Sequence, residues 1–210
     1  IGCGWGAMLA YLVQEAGGRE AVGLTLSAEQ AAWIAQHPIP DRTVHVEHWI
    51  DHAPAAPYDA IISIGAIEHF VRPTDSHASR VATYRTFFEK CASMLPPGGR
   101  LSLQTSVYAS GSFVEGAVAA IFPESDLPRM DQLAEACDGV MTLVDHVSHG
   151  AHYDRTCTAW RRRMRDAREA VIAASNEETF DRYQHYLAAA SKGFQFGVFD
   201  LVRLVYERPR

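Results

Sequence analysis

Residues 1–6, Ile1-Gly2-Cys3-Gly4-Trp5-Gly6, alternate glycine with other residues and run straight into an apolar segment at helical spacing. Glycine accepts φ > 0 and has no side chain, so a Gly-x-Gly-x-Gly turn brings backbone close to a ligand at a helix start. A cofactor of the nucleotide type is therefore the first expectation. In a parallel sheet such a loop is held by the strand just before it. The opening accordingly reads as a motif cut inside its first turn, with one wall of the site upstream of Ile1.

The rest of the chain alternates between two periodicities. Residues 7–16 carry Met8, Leu9, Leu12 and Val13 at helical spacing and stop at Gly17-Gly18. Residues 21–26 read as a short buried strand, and Ser27 caps a helix running through Glu29, Gln30 and Trp33 to Pro38 and Pro40. Residues 44–50 alternate as a strand, and 58–64 form a continuous apolar strand of the kind buried on both faces of a parallel sheet. An amphipathic helix over 79–94 with Tyr84, Phe87, Phe88 and Cys91, a Pro-Pro-Gly-Gly turn and a strand over 100–105 follow. Residues 106–128 break the rhythm and read as an insertion over the carboxyl edge of the sheet. A helix over 131–137, a strand over 141–146, helices over 156–174 and 177–191 and a strand over 199–206 complete the chain. Strands alternating with helices predict a doubly wound α/β sheet, one domain over 1–210.

Composition excludes several classes. With 210 residues, 48% hydrophobic and 21% charged, the chain can bury one good core, and its net charge of −6 argues against nucleic acid or an anionic membrane surface. The run Arg161-Arg162-Arg163 with Arg165 and Arg168 reads as a solvated helix face. Cys3, Cys91, Cys137 and Cys157 form no C-x-x-C pair, which favours a reduced, cytoplasmic setting. No apolar run has the length of a membrane span and no signal peptide is visible. His146, His149 and His152 recur every third residue, but a passage from strand to loop would splay them apart; neither they nor His45, His48 and His52 are expected to hold a metal.

The segment Gly23-Leu-Thr-Leu-Ser27 ends in no acid, whereas a dinucleotide-binding strand normally ends in Asp or Glu for the ribose hydroxyls, so NAD is disfavoured. The Lys-Ser/Thr of a phosphate-binding loop is also missing. S-adenosylmethionine carries no phosphate and needs glycine only for close approach, with Thr25 or Gln30 as ribose partners. Six ordered blocks carry a family resemblance: the opening loop, Gly23-Leu-Thr-Leu-Ser-Ala-Glu-Gln30, Ser63-Ile-Gly-Ala-Ile-Glu-His-Phe70, Pro97-Gly-Gly-Arg-Leu-Ser-Leu-Gln-Thr105, Ile121-Phe-Pro123 and His152-Tyr-Asp-Arg-Thr156. Over residues 1 to about 200 the chain resembles the cyclopropane-fatty-acid and mycolic-acid synthase family of S-adenosylmethionine-dependent methyltransferases. The resemblance implies a class I methyltransferase fold, Rossmann-like, with a mostly parallel seven-stranded sheet and helices on both faces, the first strand lying upstream. It places Gly2, Gly4 and Gly6 at the methionine and ribose side, Thr25, Leu26 and Gln30 at the ribose, Glu47 and His48 at the adenine edge and Ile64 under the cofactor.

Members of the family methylate an alkene, and a base, a bicarbonate ion held by three side chains, removes the proton that lets a ring close. Carried over, those positions are Glu68, Gln104 and Tyr153. Gln104 departs from the pattern, which has histidine there; an amide forms hydrogen bonds but moves no proton. Ser106 adds polarity where isoleucine is common. Each residue has a plainer role open to it: Glu68 capping a turn or pairing with an arginine, Tyr153 with His152 as a core aromatic, Gln104 as a satisfied strand amide. The implied function is methyl transfer to carbon of an unsaturated lipid or natural product. Methylation of oxygen or nitrogen on a small specialised metabolite, or a non-methylating scaffold on the same fold, are the alternatives. The partner is a small-molecule or lipid acceptor whose identity, like homo-oligomerisation, the sequence leaves open.

Overall fold

The structure, a computed structural model, describes residues 1–109 and 123–210, so that most of the expected 106–128 insertion lies outside the described residues. Gly2, Gly4 and Gly6 turn the opening loop through positive φ (69°, 55° and 82°), and the loop feeds helix α1 (Ala7–Gln14). Strand β1 (Ala21–Thr25) leads to α2 (Ala28–Gln36), whose N-terminus Ser27 caps by accepting from the Gln30 N–H at 3.1 Å. Strand β2 (Arg42–Val46) pairs in parallel with β1 as a two-stranded sheet.

A second sheet holds β3 (Ala60–Ile64), β4 (Arg100–Tyr108), β6 (Phe199–Glu207) and β5 (Thr142–Ser148), in the order β3-β4-β6-β5. β3 and β4 run parallel, and β6 is antiparallel to both its neighbours. Helices α3 (His77–Ser93), α4 (Met130–Cys137), α5 (Gly150–Asp166), α6 (Arg168–Ala174) and α7 (Glu177–Gln195) complete the chain. The described residues thus form six strands in two sheets, where one seven-stranded sheet was expected. β1 and β3 each leave one edge unpaired, and a cavity of about 1650 Å³ lies between them, lined by both. Two hydrogen bonds tie the opening loop across it: Ile1 N to Ile62 O at 2.7 Å and Cys3 N to Leu24 O at 2.8 Å.

The main core lies under β4 and β6. Tyr84, Phe87, Phe88 and Cys91 recur at helical spacing on α3 and bury against Leu101, Leu103 and Val107 of β4 and Val202, Leu204 and Tyr206 of β6. On the opposite face a smaller cluster joins Phe199 and Leu201 to Cys157 of α5 and Ala190 and Phe194 of α7.

Several boundaries differ from those the sequence predicts. β2 stops at Val46 because Trp49 turns into the core and the Ile50 N–H closes a turn onto His48 Nδ1. β3 is buried at Ile61 and Ser63 but exposed at Ala60 and Ile64, since it is an edge strand bordering the cavity rather than one covered on both sides. β4 runs on to Tyr108, because β6 pairs with all of it; the insertion therefore starts later than Ser106. The long helix expected over 156–174 starts instead at Gly150 and breaks at Ala167 into α5 and α6. The last helix, expected to end at 191, runs on to Gln195 and includes Gly193, where an added Cβ would sit 2.3 Å from the Phe199 ring.

Candidate active site

The opening loop and the turn after β3 face one another: a Cβ added at Gly2 would fall 2.6 Å from that of Ala66. At Gly4 and Gly65, both at positive φ, an added Cβ would meet nothing within 4 Å. The two loops therefore enclose backbone with open room beside it, which suits a ligand that must come within van der Waals distance. Next to this room the Thr25 hydroxyl donates to Gln30 Oε1 at 2.6 Å and accepts from the Ser27 N–H at 3.1 Å. Leu26, between them, is 70% exposed. Trp5 and Trp33 meet edge to face at 6.0 Å and are both exposed, extending an aromatic rim from the loop to α2. Ile64 ends β3, half-exposed, opposite Gln104.

Glu47 and His48 each have a partner nearby. The Glu47 carboxylate pairs with His52 Nδ1 at 3.1 Å, and His52 Nε2 meets the Tyr58 hydroxyl at 2.8 Å. That chain of contacts sits on the lining of the cavity between β1 and β3. His48 is occupied by the Ile50 N–H and lies against Trp49.

Glu68 sits on the 3₁₀ turn Ile67–His69 that follows β3. Its Oε1 accepts the Ser106 N–H at 2.9 Å; its Oε2 is shielded from solvent and has no hydrogen-bond partner within 3.5 Å among the described residues, with the Thr105 hydroxyl close enough to lower its pKa. Burial pushes the carboxyl above its ordinary 4.5, against the lowering pull of nearby backbone N–H groups. No arginine pairs with it among the described residues. Arg80 is spent elsewhere: it bonds the carbonyls of Asp75, Arg72 and Pro73 and pairs with Asp126 at 2.6 Å. Asp126 also accepts from the Tyr108 hydroxyl at 2.6 Å and gives its N–H to the Glu68 carbonyl at 3.0 Å. This buried hub pins both described ends of the 106–128 stretch beside Glu68. Sequence reasoning missed it, because neither Arg80 nor Asp126 belongs to a motif.

Tyr153 lies one turn into α5, edge-on to Phe194 at 5.0 Å and to Trp160 at 5.9 Å. Its hydroxyl makes no hydrogen bond among the described residues, and burial, then the neighbouring Cys157 and Glu68, push it above its ordinary value. α5 starts where it does because Asp200 of β6 accepts from the Gly150 N–H at 2.8 Å and from the Ser148 hydroxyl. Gln104 points along the same sheet face as Ser106, and its Oε1 accepts from Arg203 Nε at 2.8 Å. Glu68 follows β3 within electrostatic reach of Tyr153, and Gln104 stands in the middle of β4, opposite the last residue of β3. His149 Nδ1 and His152 Nδ1 lie 3.3 Å apart, and no cluster among the described residues has a metal-holding arrangement.

A parallel strand–helix–strand unit carrying a glycine loop with room for a phosphate-free nucleoside, beside a sheet whose β6 runs antiparallel, places the chain among α/β methyltransferases that use S-adenosylmethionine. The family model for mycolic acid cyclopropane synthetase matches residues 1–204, and the chain belongs to that family. It is similar to hydroxymycolate synthase MmaA4 of Mycobacterium tuberculosis, 29% identical over 100% of this chain and 72% of that protein. Among solved structures it resembles the cyclopropane synthase MmaA2 from M. tuberculosis, with a TM-score of 0.85, 30% identity and coverage of 99% of this chain and 76% of that one. It also resembles mycolic acid cyclopropane synthase CmaA1 complexed with SAH and CTAB, with a TM-score of 0.86, 27% identity and the same coverage, 99% and 76%. No helix among the described residues is long and apolar enough to cross a membrane.

Proposed function

We propose that this protein transfers a methyl group from S-adenosylmethionine to carbon of an unsaturated lipid or natural-product acceptor, with Glu68 taking the proton that the methylated acceptor loses. The observation that carries the proposal is the buried Glu68 carboxylate, one oxygen fixed by Ser106 and the other without a hydrogen-bond partner among the described residues, beside a glycine loop open at Gly4. Bound S-adenosylmethionine supplies an electrophilic methyl on a sulfonium. In this reading Gly2, Gly4 and Gly6 let its methionine and ribose approach, and the Thr25–Gln30 pair takes the ribose. Methylating an alkene leaves positive charge on the neighbouring carbon, which a buried carboxylate stabilises and then relieves by accepting a proton. A raised pKa makes Glu68 a stronger base for that step. The aromatic wall of Tyr153, Phe194 and Phe199 keeps water from the reacting carbon.

Tyr153 and the amide nitrogen of Gln104 are the donors that would hold a bicarbonate ion here. Gln104 cannot pass on a proton, so in this reading the proton goes to Glu68 whether or not the ion binds. Long-chain acceptors are supported by the names of the relatives, which make mycolic-acid products, and by the CmaA1 complex with CTAB, an alkyl amphiphile. The same reading treats the two sheets as parts of one seven-stranded sheet, with an extended segment lying in the slot between β1 and β3.

Incubation with methyl-labelled S-adenosylmethionine and cis-unsaturated fatty acid or phospholipid tests the proposal. Label on carbon, with release of S-adenosylhomocysteine that falls in Glu68→Gln, is expected. Label on oxygen or nitrogen, or full turnover by Glu68→Gln, would overturn it.

A further inference from the structure

Arg203 stands in the middle of β6, opposite Gln104 on β4 and Val147 on β5, while Gln104 stands opposite Ile64 at the end of β3. Directly opposed residues share a sheet face, so Ile64, Gln104, Arg203 and Val147 form one row across four strands. The next row, about 7 Å away at two residues' rise, holds Ser106 opposite Leu201. Ser106 gives its N–H to Glu68, and Leu201 packs in the cluster that Tyr153 joins. Arg203 therefore lies one side-chain row from the groups that the proposed function assigns to methyl transfer.

The guanidinium is oriented but not neutralised. Its Nε donates to Gln104 Oε1, which turns the Gln104 amide nitrogen away from it. Both Nη groups of Arg203 and Nε2 of Gln104 have no partner among the described residues, and Arg203 makes no ion pair with them. Arginine keeps its charge at every working pH. An unpaired guanidinium near a sulfonium repels it, and the repulsion disappears when a planar oxyanion takes the guanidinium edge. The neighbouring amide holds the Nε edge of Arg203 and leaves as donors both Nη groups and, on the far side of the amide, its own Nε2.

We propose that Arg203 and Gln104 form a carboxylate subsite that binds an acid group of the methyl acceptor, about one side-chain row (~7 Å) from the atom methylated. The inference rests on the methyl-transfer reading and narrows it to acceptors that are free acids, as against esters and neutral lipids. The amide that replaces the histidine of the family pattern is then part of acceptor recognition.

Calorimetry of the full chain, saturated with S-adenosylhomocysteine and titrated with octanoate, octanol or bicarbonate, tests this. Octanoate is expected to bind, and Arg203→Gln to weaken it at least about tenfold while octanol and S-adenosylhomocysteine bind as before. Gln104→Glu, which places a carboxylate against the guanidinium, is expected to weaken octanoate likewise. Equal octanoate affinity in the parent and Arg203→Gln, or an effect of Arg203→Gln on bicarbonate alone, would overturn the subsite. Failure of S-adenosylhomocysteine to bind the parent chain would instead overturn the methyl-transfer reading, and the subsite with it. If Arg203→Gln fails to fold, Gln104→Glu decides: unchanged octanoate binding there overturns the proposal.

Discussion

Glu68 couples catalysis to stability through a single proton. Because burial raises its folded pKa above 4.5, in the pH interval between the unfolded and the folded value the folded chain holds a proton that the unfolded chain has released. The stability this group contributes is fully present below its unfolded pKa and is lost as pH rises through the raised folded value. Glu68→Gln removes that loss. The variant is expected to melt at a higher temperature than the parent at neutral pH, to converge with it in acid, and to turn over about 100-fold more slowly. Thermal denaturation across a pH series and S-adenosylhomocysteine release measure the two halves; parallel pH curves for parent and variant would show that folding does not raise the pKa of Glu68. Thr25 is a second residue with a defined load, since its hydroxyl meets both Gln30 Oε1 and the Ser27 N–H. Thr25→Val keeps the shape and removes the hydroxyl, so affinity for S-adenosylhomocysteine should fall about tenfold by calorimetry. Unchanged affinity would remove Thr25 from the ribose site.

At the scale of elements, α5 is placed by β6. Asp200 takes the Gly150 N–H and the Ser148 hydroxyl, fixing the first turn from which Tyr153 projects. Asp200→Ala is expected to cost about 1 kcal/mol of stability, the usual price of a lost helix cap. It should also lower kcat while leaving S-adenosylhomocysteine affinity as it was, because the hydrogen bonds of Asp200 reach Ser148 and Gly150 and not the glycine loop, Thr25 or Gln30; a kcat equal to the parent's would mean that Tyr153 does not depend on this cap. The same contact shows where the sequence was legible. Ser27 was readable as a cap because Gln30 is three residues away, and the inner face of α3 was readable from the spacing of Tyr84, Phe87, Phe88 and Cys91. The start of α5 was not, because its cap comes from 50 residues along the chain. The far end of β4 depends likewise on pairing with β6. Among the site residues, the glycine loop, Thr25, Gln30 and Glu68 sit in contiguous motifs. Arg80, Asp126 and Arg203 sit in none, and their roles exist only once distant strands and turns meet.

At the scale of the molecule, the two sheets share few backbone bonds: Ile1 to Ile62 and Cys3 to Leu24 cross the gap through the opening loop, which also touches Ala66 beside Glu68. A nucleoside in that loop would rest on β1 and α2 through Thr25 and Gln30 and on β3 through Ile64 and Gly65, and so would touch the elements on both sides of the slot. At about 100 times its dissociation constant, a ligand that binds only the folded chain adds about 2.7 kcal/mol, and for a chain of this size that shifts melting by about 5–10 °C. S-adenosylhomocysteine is expected to produce such a shift, whereas NAD should not, because β1 ends without the acid that would hold its ribose. Hydrogen exchange distinguishes bridging from binding to one side. If the cofactor joins the sheets, amides of β1, β2 and the Glu68 turn slow together on addition of S-adenosylhomocysteine. α6, which borders neither sheet's open edge, should exchange as before. Slowing confined to β1 and β2 would mean that the ligand rests on one sheet alone, and the methyl would then have no fixed relation to Glu68.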